Sequence, residues 1–353
     1  MPPGSDTANL SVFGYDPRKW YTGRSPLEAV SMGVELSETD VAYRCNFVTL
    51  SSAQSMEEAV MEDYSAGELS TGEAAELVDF LNVRFHTART HLFPGITYRH
   101  CLVHYDAETG AVLTPPHDIS GKPVREYLPH GQYAGLLRSM MEYSYEVLRD
   151  HPVNVRRVIE GKPPATAVWF WGEGRKPSLP TFQEKYGVRG SVISAVDLIQ
   201  GIGLCAGLRV IRVEGATGNY HTDFAAKGRA AIEALREGDD FVYIHVEAPD
   251  ECGHRHEISE KVYSIEQIDH KIIAPVMDYL RGCGEDYSVL LMPDHPTPLD
   301  IRTHTSEPVP FALMRKGDCG LEPRRFTEKQ ALSAGVYLSD AYTLMDRLLG
   351  KKG

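Results

Sequence analysis

Two aspartates and three histidines stand just after two apolar segments in the last third of the chain. The segment FVYIHV (241–246) is followed by Asp250 and His254, and YSVLL (287–291) is followed by Asp294 and His295, with His304 nine residues further on. If both segments are strands of one α/β sheet, the five side chains lie beyond carboxyl ends of its strands, where such sheets bind ligands. Mixed carboxylate and imidazole ligands suit divalent metals, and this set is large enough for two ions.

Spacing alone leaves other interpretations open. On the first turn of a helix, residues four apart share a face, so Asp250 and His254 can share a cation, but Cys252 and His256 have the same spacing. Each motif alone is also typical of ordinary structure, namely a capped helix start with solvated histidines or a turn with a surface histidine. The metal-site prediction therefore depends on the three clusters occurring together.

A serine, Ser5, stands in the turn PPGSD at the start of the sequence. A hydroxyl is a poor nucleophile at neutral pH, and a positioned histidine base contributes only about 10²–10⁴-fold. Metal coordination lowers the pKa of bound water to about 7, and a comparable five-unit shift for serine corresponds to roughly 7 kcal/mol. We therefore favour a metal-bound Ser5 nucleophile over a Ser-His-Asp hydrolase, since the chain has no G-x-S-x-G elbow.

Composition limits the partners. The chain has 353 residues, 42% of them apolar, and 36 basic against 49 acidic residues give a net charge of −13. This charge, without runs of like sign, predicts a small-molecule or protein partner rather than nucleic acid or an anionic membrane. Six scattered cysteines without a C-x-x-C motif indicate reduced thiols and a cytoplasmic protein, and no signal peptide or apolar run of membrane length is present.

The order of elements predicts an α/β protein. Strands are expected at 42–50, 96–105 and 165–171, with a helix after the capping box Ser70–Glu73 and another over 136–149. From about Ser191 we expect a helix (SVISAVDLIQGIGLCAG), and then strands alternating with helices to the end of the chain, with one strand following another directly. Strands that alternate with helices predict a mostly parallel sheet covered on both faces.

The segment Gly201–Ala206 fits the G-x-G-x-x-A form of the dinucleotide fingerprint. The fingerprint requires a strand before the glycines and a helix after them, whereas here a helical pattern comes first and a strand follows. We therefore interpret the segment as a loop that ends a helix, and the sequence predicts no nucleotide cofactor.

A series of motifs then carries a family resemblance: PPGSDTANLSVFGYDP, YTGRSPLEA, RCNFVTL, SVISAVDLIQGIG, GATGNYHTDF, HVEAPDECGH, PDHPTP and THTSEPVPF. In this order, over nearly the whole chain, they resemble the archaeal-type 2,3-bisphosphoglycerate-independent phosphoglycerate mutases of the alkaline phosphatase superfamily. The resemblance implies an alkaline-phosphatase-like, mostly parallel sheet with helices on both faces, plus an inserted smaller α/β domain.

Members of that family interconvert 3-phosphoglycerate and 2-phosphoglycerate through a phosphorylated serine between two divalent metals, without 2,3-bisphosphoglycerate as cofactor. Carried over by motif, the resemblance makes Ser5 the nucleophile. It implies two metals (Mn, Mg, Co or Zn), one held by Asp250, His254 and His304 and the other by Ser5, Asp294 and His295.

By the same resemblance, the inserted domain closes over a small phosphorylated carboxylic acid. Binding a phosphate and a carboxylate requires cationic side chains. The candidates lie in or beside two Gly/Pro-rich loops, TPPHDISGKP and GEGRKPSLP; they are His117, Lys122, Arg175, Lys176 and Arg189. Each of them is otherwise typical of a solvated surface residue.

The expected domains are residues 1–50 and 177–353 for the metal-binding core and residues 51–176 for the inserted capping domain. Family members begin with a strand ending in Asp-Gly that gives a further carboxylate to the metal shared with Ser5, and no such segment precedes Met1. We therefore expect that the chain starts at a methionine internal to a longer protein, with a shortened paralogue as the alternative. Activity of the 353-residue chain itself is then in question.

The expected activity is that of a phosphoglycerate mutase, in glycolysis and gluconeogenesis. The alternatives are a metal-dependent phosphatase or phosphopentomutase on the same core, or an inactive, truncated form that only binds acidic metabolites.

Overall fold

The structure is a computed structural model that describes residues 4–318 and 325–350. Its strands, in chain order, are β1 (Val41–Leu50), β2 (Met61–Asp63), β3 (Thr90–Phe93), β4 (Arg99–His104), β5 (Ala111–Val112), β6 (His130–Gly131), β7 (Ala167–Arg175), β8 (Gly190–Ile193), β9 (Arg209–Ile211), β10 (Phe241–Ile244), β11 (Ser288–Leu291) and β12 (Ala312–Arg315).

The α-helices, in chain order, are α1 (Ser5–Val12), α2 (Pro17–Trp20), α3 (Ser25–Ser31), α4 (Thr71–Phe85), α5 (Ala134–Val147), α6 (Pro152–Ile159), α7 (Phe182–Tyr186), α8 (Asp197–Cys205), α9 (Phe224–Arg236), α10 (Ala248–Arg255), α11 (Ile258–Gln267), α12 (Ala274–Gly282), α13 (Glu328–Ser333) and α14 (Leu344–Leu348). A π-helical turn, Ile268–Ile273, joins α11 to α12. No helix in the described part of the chain is long and apolar enough to span a bilayer.

The described residues divide into two compact units. The first contains the chain up to Tyr21 together with the residues from Ser178 onward, and the second is Thr22–Pro177. The expected boundary after residue 50 differs from this division, because β1 pairs with both β4 and β7 of the second unit. The expected boundary after residue 176 lies within one residue of the observed one.

The second unit is built on an antiparallel sheet. Strands β2, β1, β4 and β3 are neighbours in that order, and β7 also pairs with β1. Its core contains Tyr43, Cys45 and Phe47, alternate residues of β1 that are fully buried. The capping box that begins α4 is confirmed: the Ser70 side chain accepts a bond from the Glu73 amide, and the Glu73 carboxylate accepts one from the Ser70 amide at 3.1 Å. Only antiparallel strand pairs occur in the described part of this unit.

The two ends of the second unit are hydrogen-bonded to each other. The Thr22 hydroxyl donates to the Arg175 carbonyl at 2.6 Å, and the Arg175 amide donates to the Thr22 carbonyl at 3.3 Å. The first and last segments of the second unit therefore lie next to each other.

The first unit holds a parallel sheet of β10, β8 and β9, with β8 in the centre, and a separate antiparallel pair of β11 and β12. The expectation of one mostly parallel sheet is thus met only by the first three of these strands. The helix expected from Ser191 is wrong at its start: Ser191, Val192 and Ile193 are buried strand residues, and the helix α8 begins at Asp197.

The glycines of the rejected nucleotide fingerprint lie inside α8 and not in a loop that ends it. A Cβ at Gly203 would lie 2.5 Å from Cγ1 of Val192, so glycine lets the helix pack closely on β8. The segment therefore serves helix–strand packing, and its interpretation as a loop that ends a helix was wrong.

Candidate metal centre and nucleophile

The first pair of candidate ligands lies on α10, which begins shortly after β10 ends. Pro249 occupies the first turn of α10, where proline needs no hydrogen-bond partner for its nitrogen, and Asp250 and His254 follow on one face. Gly253 lies between them, and a Cβ there would lie 2.6 Å from the Thr297 carbonyl oxygen. Glycine therefore lets α10 approach the loop that follows β11.

That loop carries the remaining candidates. Asp294 and His295 follow β11 closely, and His304 lies before β12 in irregular structure. Three ligand atoms converge: His254 Nε2 lies 3.3 Å from Asp250 Oδ2, His304 Nε2 lies 3.3 Å from Asp250 Oδ1, and the two histidine nitrogens are 3.1 Å apart. Within the described residues, this is the one group of three or more such side chains with metal-ligand geometry.

Hydrogen bonding orients His254 for ligation. Its Nδ1 lies 3.0 Å from the Arg302 carbonyl, which can only accept a hydrogen bond. Nδ1 therefore carries the proton, and the Nε2 lone pair of a neutral ring points at Asp250 and His304. Metal-bound histidines in proteins are held in this way.

The charge of Asp250 is strongly favoured. Burial alone would raise its pKa, but hydrogen bonds from His304 and Thr297 and the proximity of His254 lower it to about 2. His295 is 7% exposed, and burial lowers the pKa of its ring despite the nearby Asp294 carboxylate. The ionised carboxylate is the form of Asp250 that binds a cation.

Ser5 lies beside this cluster in the same unit. It is the first residue of α1, and its Oγ is 2.9 Å from His295 Nε2. The same nitrogen is 3.4 Å from Asp294 Oδ2, and the His295 and His304 rings are 3.7 Å apart between centroids. The structure thus brings together all six residues predicted as nucleophile or ligands.

The alternative pair, Cys252 and His256, does not converge on the cluster. His256 Nδ1 contacts the Leu299 carbonyl at 2.7 Å. Cys252 is 1% exposed, and burial raises the pKa of its thiol. Among the described residues it is one of five cysteines that form no disulfide, and Cys319 lies outside the described residues.

Of the predicted substrate-binding residues, Arg189 is not brought near the metal cluster. It precedes β8, whereas the cluster lies beyond the carboxyl ends of the parallel strands, about 13 Å away along the strand. Its guanidinium donates to the Gly238 carbonyl at 2.6 Å, at the end of α9. Arg189 therefore contacts the end of a helix, and its substrate role stays a prediction without support from the position of the metal cluster.

The other four candidates lie in the second unit. Lys122 Nζ donates to the Asp118 carbonyl at 3.0 Å, and Arg175 contacts the Ala107 carbonyl at 2.5 Å and the Glu108 carboxylate at 2.9 Å. Lys176 is exposed. The His117 ring lies edge-on to the Trp171 ring, with 5.3 Å between their centroids.

His117 belongs to a group that we call the guanidinium patch, which consists of Arg24, Glu28, Arg44, His117 and Trp171. Arg24 and Arg44 bind opposite oxygens of Glu28, at 2.7 and 3.0 Å, and the Arg44 guanidinium lies 4.2 Å over the Trp171 ring. Burial lowers the pKa of Arg44 only to about 10, so two cations share one carboxylate at neutral pH.

Sequence reasoning missed several of these residues. Arg24 and Arg44 stand in the motifs YTGRSPLEA and RCNFVTL, so those motifs were the available signal. Asn9 and Thr297 also stand in quoted motifs, PPGSDTANLSVFGYDP and PDHPTP, but their residue types did not suggest a role: Asn9 is buried and donates to Asp294 at 2.7 Å, and the Thr297 hydroxyl donates to Asp250. Amide and hydroxyl side chains of this kind are recognised only once the loops are in place.

Comparison with known proteins identifies relatives over nearly the full chain. A sequence profile of 2,3-bisphosphoglycerate-independent phosphoglycerate mutase matches residues 1–154. A probable enzyme of that name from Geobacter sulfurreducens is 48% identical, over 99% of this chain and 87% of its own. One from Methanothrix thermoacetophila is 47% identical, over 99% of this chain and 86% of its own.

Solved structures agree in fold. A Pyrococcus horikoshii protein aligns with a TM-score of 0.77 at 29% identity, covering 100% of this chain and 85% of its own. A cofactor-independent phosphoglycerate mutase of Thermoplasma acidophilum aligns with a TM-score of 0.65 at 23% identity, covering 99% of this chain and 86% of its own.

Proposed function

Because the chain belongs to the 2,3-bisphosphoglycerate-independent phosphoglycerate mutase family, we propose that it interconverts 3-phosphoglycerate and 2-phosphoglycerate and that Ser5 carries the phosphoryl group between the two positions. The observation that carries this proposal is the position of the Ser5 hydroxyl, 2.9 Å from His295, beside a ready-made set of metal ligands. A reaction that moves a phosphoryl group between two oxygens of one molecule needs a temporary acceptor, and a serine hydroxyl supplies it.

The proposed cofactors are two divalent ions, Mn, Mg, Co or Zn. The donor set fits them, since it combines carboxylate oxygens with imidazole nitrogens, and the ligand atoms of Asp250, His254 and His304 lie within 4.8 Å of one another. Asp250, His254 and His304 would hold one ion, and Ser5, Asp294 and His295 the other. When bound, the ions supply positive charge that favours the ionised serine and neutralises the transferring phosphoryl group.

The residues themselves account for the remaining steps. The Ser5 oxygen attacks phosphorus, the bond from phosphorus to the substrate oxygen breaks, and that oxygen takes up a proton. In the second half, the neighbouring hydroxyl of glycerate attacks the phosphoserine, loses its proton, and releases Ser5. The α1 helix holds the Ser5 oxygen in place, and His295 Nε2, 2.9 Å from that oxygen, would hold the same ion.

The guanidinium patch is the proposed anion-binding group of the second unit. Two guanidinium groups presented around one carboxylate leave a net positive charge, and planar guanidinium forks match both carboxylate and phosphate. Among the predicted substrate residues, His117 is the one that belongs to this patch. Lys122 and Arg175 are engaged with backbone carbonyls, and Lys176 is exposed.

A coupled assay for 2-phosphoglycerate, with free phosphate counted in parallel, tests the function. We expect 2-phosphoglycerate to form without equivalent phosphate release, and rapid acid quench followed by mass analysis to show one added phosphate on the Ser5 peptide. Ser5→Ala should abolish both, while Ser11→Ala, on the same helix, should not. Phosphate release alone would identify a phosphatase, and turnover of a pentose phosphate in place of phosphoglycerate would identify a phosphopentomutase.

A further inference from the structure

Asn9 makes three hydrogen bonds that join the nucleophile to a candidate metal ligand. It lies one turn after Ser5 on α1 and is completely buried. Its Nδ2 donates to the Ser5 carbonyl at 2.8 Å and to Asp294 Oδ2 at 2.7 Å, and its Oδ1 accepts from the Tyr243 hydroxyl at 2.6 Å.

Only one orientation of the Asn9 amide satisfies these partners. The Ser5 carbonyl and the Asp294 carboxylate are both acceptors, so the NH₂ group must face them. The oxygen then faces Tyr243, whose hydroxyl must donate. A flipped amide would place an oxygen against two oxygens and leave buried acceptors unpaired, at a cost of about 1–3 kcal/mol for each.

Tyr243 is well suited to hold this orientation. It lies on β10, next to the strand end that leads into α10, and its ring packs against Phe13 with 4.3 Å between centroids. Burial, reinforced by the Asp294 charge, raises the pKa of its hydroxyl, which therefore remains a donor at every working pH.

The chain of contacts ends on the ligand set that contains Ser5. Asn9 holds Asp294 Oδ2, and the His295 amide holds Asp294 Oδ1 at 3.0 Å, so both carboxylate oxygens are oriented. The Asp250, His254 and His304 cluster has a different support, from Thr297 and the Arg302 carbonyl. The two ligand sets can therefore be perturbed separately.

We propose that Asn9 is a positioning residue that fixes the Asp294 carboxylate relative to Ser5, and that Tyr243 holds the Asn9 amide in the orientation this requires. The inference rests on the proposed function, since it concerns the metal shared by Ser5, Asp294 and His295. Replacing a residue that hydrogen-bonds to a metal ligand typically lowers metal affinity by about 10–100-fold.

The test is Mn²⁺ binding to the full chain, measured by equilibrium dialysis without substrate. Asp294→Asn identifies which class of site contains Asp294. Tyr243→Phe keeps the ring packing and removes only the hydroxyl, and Asn9→Leu removes the whole link. We expect the Mn²⁺ affinity of the site that contains Asp294 to fall about 10-fold in Tyr243→Phe and up to about 100-fold in Asn9→Leu. The Mn²⁺ affinity of the other site should not change.

Tyr15→Phe is the matched control. Tyr15 is 1% exposed in the same unit, and its hydroxyl also makes a single 2.6 Å hydrogen bond, to the Pro180 carbonyl. The Tyr15→Phe substitution should leave the Mn²⁺ affinity of both classes of site unchanged, even if it lowers thermal stability. In the Asp294→Asn background, Tyr243→Phe should cause no further loss of affinity, because both changes act on one link.

Wild-type affinity of both classes in Tyr243→Phe and Asn9→Leu would overturn the proposal. Equal weakening of both classes of site would overturn it as well. So would the finding that the wild-type protein binds a single Mn²⁺ ion and that Tyr243→Phe does not change the affinity for it. In the activity assay, we expect kcat to fall in Tyr243→Phe and Asn9→Leu while KM stays unchanged. If every form lacked mutase activity while the Mn²⁺ pattern held, the proposed function would fail and the positioning role would stand.

Discussion

At the scale of single residues, Asp250 is the group on which the metal cluster depends most. It is the common neighbour of His254 and His304, each at 3.3 Å, and it accepts a further bond from Thr297. Replacing it with alanine removes the only carboxylate of the three-residue cluster and leaves two imidazoles facing each other. The remaining pair of nitrogens is a much poorer cation site.

We therefore expect Asp250→Ala, and likewise His304→Ala, to lower metal content and mutase activity by orders of magnitude. Metal per chain is measured by elemental analysis after dialysis, beside the activity assay. Glu251→Ala is the matched control: its carboxylate is adjacent in sequence but pairs with Arg255 at 2.8 Å, so both quantities should stay near wild type. Unchanged metal stoichiometry in Asp250→Ala and His304→Ala would disprove the ligand assignment.

A second residue, His100 in the second unit, should make stability depend on pH. It is 4% exposed, its Nδ1 accepts a hydrogen bond from the Gly95 amide at 3.0 Å, and burial lowers its pKa to about 3. The unfolded chain binds a proton below about pH 6.5 while the folded state does not, so stability is lost as the pH falls from there toward 3.

Between pH 6.5 and 4.5 the loss due to His100 should be roughly 2–3 kcal/mol. His100→Asn keeps a buried acceptor for Gly95 but cannot be protonated, so its free energy of unfolding should change less over this range. Urea unfolding of wild type and variant at several pH values measures the difference. Parallel pH profiles for the two proteins would show that His100 is not the group responsible.

At this scale, the sequence predicted charged and nucleophilic groups better than neutral ones. Asp250, His254, Asp294, His295 and His304 were singled out because three clusters of carboxylates and imidazoles occur together after strand-like segments, and the structure places them side by side. Asn9 and Thr297 were missed because an amide or hydroxyl is common everywhere, and its role depends on which loop it meets. Arg189 lies at the start of β8, away from the cluster, because a position beside a glycine-rich loop does not say at which end of a strand it lies.

At the scale of elements, the guanidinium patch depends on α3 and β1 lying side by side. Glu28 is on α3 and Arg44 on β1, and each is held by the other. Burial opposes the ionisation of Glu28, but Arg44 and Arg24 lower its pKa below the usual range, so the carboxylate stays charged and orients both guanidinium groups.

Arg24→Gln should therefore raise the KM for 3-phosphoglycerate about 10-fold or more, because a charge-assisted hydrogen bond contributes about 1.5–3 kcal/mol, while kcat changes less. Arg138→Gln is the matched control. Like Arg24 it pairs with a glutamate four residues later, and the two side chains are 37% and 39% exposed, but Arg138 lies outside the patch. Equal effects of the two substitutions on KM would rule out substrate binding by the patch.

Elements were predicted well where local signals agreed with the fold. The capping box of α4 and the strand character of β1 and β10 belong to this group. The start of β8 was missed because SVI is short and runs directly into a helical pattern, and only pairing with β9 and β10 on both sides makes it a strand. The first expected domain boundary differs from the observed division for a related reason, since strand partners far apart in sequence leave no local signal.

At the scale of the whole molecule, all candidate metal ligands belong to the first unit. Metal binding should therefore stabilise that unit, by about 2.7 kcal/mol at a free metal concentration 100 times the dissociation constant. Hydrogen exchange with Mn²⁺ or with chelator should show added protection in segments 4–12, 245–256 and 292–305. Uniform protection over 22–177 as well would contradict ligation by the first unit alone.

The contact between Thr22 and Arg175 has a consequence for protein engineering. Because the entry and exit segments of the second unit share two hydrogen bonds, its ends already lie next to each other. Joining them by a short turn would add little loop-closure entropy, so new termini can be opened at an exposed loop elsewhere in 22–177. Because its two ends meet, the segment 22–177 is also suited to transfer into another protein as a single insertion, with its own antiparallel sheet intact.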